Sequence, residues 1–321
     1  MTTPFAPPSR RVLTDCVRSA TTAPSLHNSQ PWRFRIVPPA VEVYADPGRR
    51  LPVTDPDGRE QLISVGAAVF TLRLAIRRAG YQVRCELLPG PDEPAPAARV
   101  TAGRPVAVDA TTEALAAAIP YRHTNRWPFA RVAVPAGAIE KLRDAAEREG
   151  AVLTVADPAG RDAILGLARV ADQRLRERDD YAAEISRWTG RAARHDGVPA
   201  WAYGPGDALG VMPVRDGAGT LAVARAPVAF EPHPTVLVLA TDGDTDADRL
   251  CAGQALQRVL LTATWLGLAA TPISQPVEVP EIRALLTRRP AQMVLRIGYG
   301  GVAGHTPRRP VNRVLVDEPP G

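Results

Sequence analysis

The 321 residues predict an α+β protein built from two related halves. Three features point there. Apolar runs of helical period alternate with short extended runs bounded by Pro and Gly. Two long helix candidates, one behind Asp57 and one over 246–266, superpose at an offset of 187 residues. The composition, 45% hydrophobic and 23% charged, is that of an ordinary globular chain, and no run of 18 apolar residues offers a membrane span.

Residues 9–22 read as a helix that must stop before Pro24. Arg33–Val37 and Val41–Tyr44 are extended runs separated by Pro38 and Pro39. Asp57 reads as an N-cap answered by Glu60 three residues later. Behind it Leu62, Val65, Val69, Leu72 and Ile76 recur at helical spacing, and Gly80 suits the residue that ends the helix. Gln82–Leu88 and Ala98–Ala102 are strand candidates on either side of the Pro-rich PGPDEPAPA. Two helices follow at about 135–149 and 158–178, with a strand, Val152–Val155, between them.

The later helix puts Ala252, Leu256, Val259, Leu260 and Ala263 on one face and closes at Gly267. At the 187-residue offset Gly66 falls on Gly253, Ala68 on Ala255 and Gly80 on Gly267. Such a repeat predicts an intramolecular pseudo-dimer, which leaves further dimerisation open. Residues 179–230 lack any sustained period and are rich in Gly, Pro, Arg and aromatics. A stretch of this kind is either a lid or a surface excursion anchored by Trp188 and Trp201.

The charge balance, 39 basic against 34 acidic residues, contains no basic run longer than a pair. With so few aromatics, nucleic acid is not an expected partner. Cys16, Cys85 and Cys251 are widely spaced and odd in number, which argues against a disulfide framework or zinc site and suits a reducing compartment. The start, MTTPFAPPSRR, lacks an apolar signal core, so a cytoplasmic location is expected. His195, His233 and His305 have no ligand spacing. Asp242, Asp244, Asp246 and Asp248 alternate like a calcium loop but lack its closing Glu, and read as a solvated turn and helix start. No G-x-G-x-x-G follows a strand, so a Rossmann site is not indicated.

Three segments carry chemistry. Pro24-Ser25-Leu26-His27-Asn28-Ser29-Gln30-Pro31-Trp32 reads, by composition alone, as an ordinary turn with Trp32 as a core anchor. Arg122-His123-Thr124-Asn125-Arg126 is either a solvated basic turn or an oxyanion grip, since Arg offers a planar fork of donors to phosphate. Pro307-Arg308-Arg309-Pro310 is a basic pair of a kind common on surfaces.

As an ordered string, the first segment resembles the PSxxNxQPW segment of the FMN-dependent nitroreductase superfamily. The second resembles that superfamily's Arg-[Arg/His]-Ser phosphate grip, with Thr124 in place of Ser. Together with YADPGRRLPVTDPDGREQLISVGAA and GQALQRVLLTAT, the arrangement resembles the Acg branch of NAD(P)H nitroreductases over about residues 12–317.

The resemblance implies a nitroreductase-like fold: a fused, two-lobed pseudo-dimer with antiparallel-containing sheets flanked by helices, and a lid inserted at about 179–230. The halves would be 1–112 and 113–321. It implies that Pro24, Ser25, Leu26 and Asn28 contact the FMN ring, with Gln30 and Trp32 bracing their loop. Arg122, His123 and Thr124, with Arg308 and Arg309, would complete the phosphate site. Pro272, Ile273, Ser274 and Gln275 occupy the place of the loop facing flavin N5. Since the Pro-Ser segment lies in the first half and both Arg segments in the second, one full site is expected and its mate should be degenerate. The implied activity passes a hydride from NAD(P)H through FMN to a nitro, quinone or other conjugated acceptor. The alternative is an FMN-sequestering protein whose lid blocks turnover. No side chain is singled out as a general acid or base.

Overall fold

The computed structural model of the chain describes residues 7–90, 95–190, 195–215 and 225–320. Positions 91–94 of the predicted Pro-rich loop, and 191–194 and 216–224 of the predicted lid, lie outside the described residues. The first half runs α1 (Arg10–Ala20), β1 (Trp32–Val37), β2 (Ala40–Ala45), α2 (Arg59–Arg78), β3 (Tyr81–Leu87) and β4 (Ala98–Pro105). After α3 (Ala110–Ala118) the second half runs α4 (Ala136–Glu147), β5 (Val152–Val155), β6 (Thr235–Ala240), α7 (Asp246–Trp265), β7 (Ala269–Ile273) and β8 (Ala291–Gly298). Between β5 and β6 lie α5 (Pro158–Arg176) and α6 (Tyr181–Trp188), and the short α8 (Gln275–Glu278) and α9 (Pro280–Arg283) separate β7 from β8.

Each half makes one four-stranded antiparallel sheet, ordered β1-β2-β4-β3 in the first and β5-β6-β8-β7 in the second. The two orders are the same, element for element. In both, the long helix precedes the outer strand on one edge. Helices α2 and α7 are buried on nearly every face, which explains why both are apolar well beyond a single stripe. They pack on each other at the centre of the molecule. A Cβ on Gly66 would lie 3.0 Å from Gly253 Cα and collide with the Leu250 carbonyl oxygen. A Cβ on Gly253 would lie 2.8 Å from Gly66 Cα and collide with the Ile63 carbonyl oxygen. These contacts are reciprocal at the predicted offset, since Ile63 corresponds to Leu250 as Gly66 does to Gly253.

The predicted cap of α2 needs correction. Asp55, not Asp57, carries it: its two carboxylate oxygens accept from the backbone N–H of Glu60 at 3.0 Å and of Gln61 at 2.8 Å. Gly58, left-handed at φ 69°, supplies the turn that brings Asp55 back over the helix start. This frees the Glu60 side chain from capping. At α7 the capping box is formed by Thr245 and Asp248, so Asp248 serves the helix start. Asp244 is clamped by Arg283 at 2.8 Å.

The described parts of 179–230 are more ordered than the composition suggests. They contain α6 and two short parallel pairs, Thr189–Gly190 with Val198–Pro199 and Gly206–Asp207 with Pro227–Val228. Trp188 is buried, with the Arg49 guanidinium 5.8 Å from its ring centre, and is the anchor expected. Trp201 is 56% exposed and is not an anchor of the core. No helix among the described residues is long and apolar enough to cross a membrane.

Candidate anion cleft and ring cavity

The loop after α1 takes up a strained path. His27, Asn28 and Gln30 all have left-handed φ, at 49°, 55° and 51°. For residues other than Gly this costs roughly 1–3 kcal/mol each unless the surroundings fix it. They do. Ser25 Oγ accepts from Gln30 N at 2.9 Å, and Ser64 Oγ on α2 accepts from Leu26 N at 3.3 Å. Asn28 Nδ2 donates to the carbonyls of Gly197 and Pro307, both at 2.9 Å. Gln30 Nε2 donates to His195 O at 2.9 Å, and its Oε1 accepts from Arg309 N at 2.8 Å. The loop is thus tied to α2, to the insert and to the C-terminal segment, and Gln30 braces it as expected. Trp32 is fully buried in the first-half core.

Two hollows meet at this loop and share Pro24, Ser25, Thr124, Arg126 and Val198. The smaller is edged by Asn28, Arg122, His123, Thr306 and Arg308. Three of the arginines around the pair, Arg122 buried and Arg126 and Arg308 half-buried, have no carboxylate partner among the described residues. Arg122 is 5% exposed, and the hydrogen bond found for its guanidinium runs to Thr22 O at 3.2 Å. Arg308 donates to Asn28 Oδ1 at 2.9 Å, Thr306 Oγ1 at 2.7 Å and Thr22 O at 3.2 Å. Arg126 donates to Ala202 O at 2.9 Å. Burial, with Arg308 beside it, pulls Arg122 down to about 9. Burial alone takes Arg308 to about 10, and it lowers Arg126 as well. Desolvated cations without counter-charge are unfavourable, so the cleft can accommodate an anion that supplies it. Next to it His123 meets His305 edge-on, ring centres 4.1 Å apart, and burial pushes it down to about 4, leaving the imidazole neutral near pH 7.

The larger hollow offers about 1090 Å³ of space between protein atoms, open solvent at its mouth included. Both halves line it. Leu26, Glu60 and Ile63 come from the first; Leu256, Pro272, Ile273, Ser274 and Gln275 come from the second. The insert contributes Val198, Tyr203 and Met212 to Arg215. Arg215 fastens the insert, donating to Glu278 Oε1 at 2.5 Å, Tyr181 Oη at 2.8 Å and Ser274 Oγ at 3.3 Å. Gln275 Nε2 donates to Pro213 O at 3.3 Å.

Of the residues singled out in sequence, Pro24, Ser25, Leu26, Thr124, Pro272, Ile273, Ser274 and Gln275 line the larger hollow, and Arg122, His123, Arg308 and Asn28 the smaller. Two placements differ from expectation. Asn28 is not at the ring cavity; its amide ties the loop down and its Oδ1 holds Arg308. Arg309 lines neither hollow. Its guanidinium donates to Gln30 O in the loop at 3.2 Å and to Arg313 O at 2.7 Å, with Asp46 3.7 Å away, so it serves buried carbonyls that need a donor. Arg126, His27, Glu60 and Arg215 line the larger hollow and had not been singled out. Arg126 was legible, since it ends the basic pentapeptide. Glu60 carries only a capping signal in the sequence, and nothing there marks Arg215.

Fold and site together define an α+β protein with an arginine-lined cleft opening into a cavity between two similar halves. No family model matches the chain. "Putative NAD(P)H nitroreductase Rv3131" from Mycobacterium tuberculosis is 34% identical, over 97% of this chain and 92% of its own length. "Putative NAD(P)H nitroreductase acg" from the same organism is 30% identical, over 96% and 97%. The chain belongs to the Acg-like NAD(P)H nitroreductase family. Among solved structures, a Bacteroides fragilis nitroreductase with bound FMN matches 61% of this chain and 93% of its own at 15% identity and a TM-score of 0.37. The Mycobacterium smegmatis nitroreductase NfnB in complex with NADPH matches 65% and 95% at 18% identity and 0.36.

Proposed function

We propose that the protein binds one FMN between its halves, 1–112 and 113–321, and passes electrons from NAD(P)H to a nitro, quinone or other conjugated acceptor. The join falls in α3, which packs on both α2 and α7, so the halves act as one intramolecular pseudo-dimer. The observation that carries the reading is the set of buried and half-buried arginines, Arg122, Arg126 and Arg308, without carboxylate partners among the described residues at the neck of the cavity. They fit a phosphate on a flat, largely apolar ligand.

A bound flavin would supply the hydride chemistry. Arg122 and Arg308 would hold its phosphate, with His123 and Thr124 flanking it and Arg126 at the neck. Pro24, Ser25 and Leu26 would lie against the ring from the first half, and Pro272 to Gln275 from the second. Asn28 acts through Arg308 as a positioning residue. The neutral His123 keeps the cleft from adding charge that would vary near pH 7.

A second reading has its own support. The insert docks on the 24–32 loop through Gly197 and His195 and roofs the cavity with Tyr203 and Met212 to Arg215. A roof held that firmly suits FMN sequestration without turnover. Titrating purified protein with FMN, then adding NADH or NADPH without oxygen, separates the readings. Bound flavin that bleaches supports the oxidoreductase. Bound flavin that stays yellow with either nicotinamide but bleaches with dithionite supports sequestration. Protein that takes up no FMN overturns both.

A further inference from the structure

Glu60 sits on the first turn of α2, facing the larger cavity, and is 2% exposed. Neither of its carboxylate oxygens has a hydrogen-bond partner among the described residues. The nearest cation, Arg59, lies 3.1 Å from Oε1, but its guanidinium already donates to Gln292 O and Oε1 and to Val277 O. The other charged groups facing Glu60 are Asp55, Glu278 and Arg215. Asp55 is engaged by the backbone of Glu60 and Gln61, and Glu278 holds Arg215. Arg59 is thus paired with Glu60 by charge alone, its own hydrogen bonds going to other groups, and two further buried carboxylates, Asp55 and Glu278, crowd the site. A charged carboxylate can only accept hydrogen bonds, whereas the neutral acid can donate one.

We propose that Glu60 is a ligand-facing acid of this cavity, donating its carboxyl O–H to an acceptor atom on the edge of the bound flavin ring. Burial, opposed by Arg59 and reinforced by Glu278 and Asp55, pushes its carboxyl well above the usual range, which favours the protonated acid. A hydrophobic cavity that holds one neutral acid discriminates for ligands with a carbonyl or ring-nitrogen acceptor at that point. The inference rests on the flavin reading of the cavity.

The test is the FMN dissociation constant from pH 6 to 9, by quenching of flavin fluorescence, for wild type, Glu60→Gln and Glu60→Leu. Gln keeps a donor of the same shape, and Leu removes it. Wild type should bind more weakly as pH rises and Glu60 loses its proton. Glu60→Gln should match wild type at pH 6 and stay flat to pH 9. Glu60→Leu should bind about tenfold more weakly at pH 6, the loss of one hydrogen bond. Thermal melting of the apoproteins gives a readout that does not depend on flavin. The folded carboxyl keeps its proton where the unfolded one has lost it, so stability falls as pH rises above the unfolded value. Glu60→Gln should therefore melt higher than wild type at pH 8 and no higher at pH 4.5. Flat and equal FMN affinities for all three proteins, with equal melting at pH 8, overturn the proposal while leaving the flavin reading intact. No FMN uptake by wild type overturns that reading instead, and the melting comparison then still decides the state of Glu60.

Discussion

Gly66 of α2 and Gly253 of α7 meet backbone to backbone, each occupying the space that a Cβ on the other would need. Their contacts are reciprocal: Gly66 lies against the Leu250 carbonyl and Gly253 against the Ile63 carbonyl. An approximate two-fold axis between the glycines would produce this pairing, as at the interface of a symmetric dimer. It fixes how the halves sit, and so fixes the cavity that both of them line.

Gly66→Ala and Gly253→Ala should therefore each destabilise the fold by at least the roughly 1–3 kcal/mol of overpacking, because the clash is with backbone that cannot swing aside. The double variant should cost less than the sum of the singles, since the first separation of the helices relieves the second clash. Urea unfolding of the four proteins measures this. Single variants as stable as wild type would show that the helices are not locked at this point.

Arg122→Met separates a binding arginine from a structural one. An arginine kept for stability would leave a hole when replaced. A desolvated cation awaiting an anion should do the reverse, so the apoprotein should melt at a temperature equal to or above wild type while FMN affinity falls about tenfold or more, the loss of a charge-assisted hydrogen bond. Arg308→Met should behave similarly, tempered by the loss of its bonds to Asn28 and Thr306. Free phosphate should raise the wild-type melting temperature more than that of either variant.

Arg309→Met should act on the fold first. Its guanidinium serves Gln30 and Arg313 carbonyls rather than the cleft. The variant should lose stability by roughly 1–3 kcal/mol through buried carbonyls left without a donor, with a weaker effect on FMN at temperatures where it is folded. Circular dichroism melts beside FMN titrations distinguish this from a direct contact.

Arg215 holds the insert through Glu278, Tyr181 and Ser274. Replacing both members of the ion pair, Arg215→Gln with Glu278→Gln, loosens the roof without stranding a buried charge. FMN should leave this variant about tenfold faster than wild type, as seen by stopped-flow dilution into a flavin scavenger. If the roof is what blocks the nicotinamide, anaerobic bleaching should also accelerate. An unchanged release rate would mean that the insert is held elsewhere.

His123 lies well below its ordinary value, at about 4, and burial also lowers His27. Both are neutral in the fold where the unfolded chain would protonate them, so their contribution is present above pH 6.5 and is lost as pH falls from there toward 4. Acid melting of the apoprotein should steepen across that window, and His123→Asn should flatten part of it. An identical profile for the variant would remove His123 from the account.

Much of this was legible in sequence. The 187-residue offset found the glycine pair, because a close helix crossing leaves a residue-type mark. The Pro-Ser loop and RHTNR were legible as ordered strings. Other features were not, for physical reasons. Asp55 caps α2 from five residues before Glu60 through a left-handed Gly58, a route that cap spacing rules do not contain. Asn28 and Arg309 carry polar groups suited to a ligand, and the strained loop consumes them. Glu60 looked like a helix-start acid, and only burial reveals that its carboxyl faces a cavity. Arg215 is one arginine among many until Glu278 is brought to it from another element.

The central claim is one flavin held between two unequal halves, which makes stoichiometry its most direct measurement. Titration of the purified chain with FMN, followed by fluorescence quenching at protein concentrations well above the dissociation constant, should break at one FMN per chain. It should fall to none for an Arg122→Met, Arg308→Met double variant at the same concentrations. A break at two per chain, or the same break in the double variant, would contradict it.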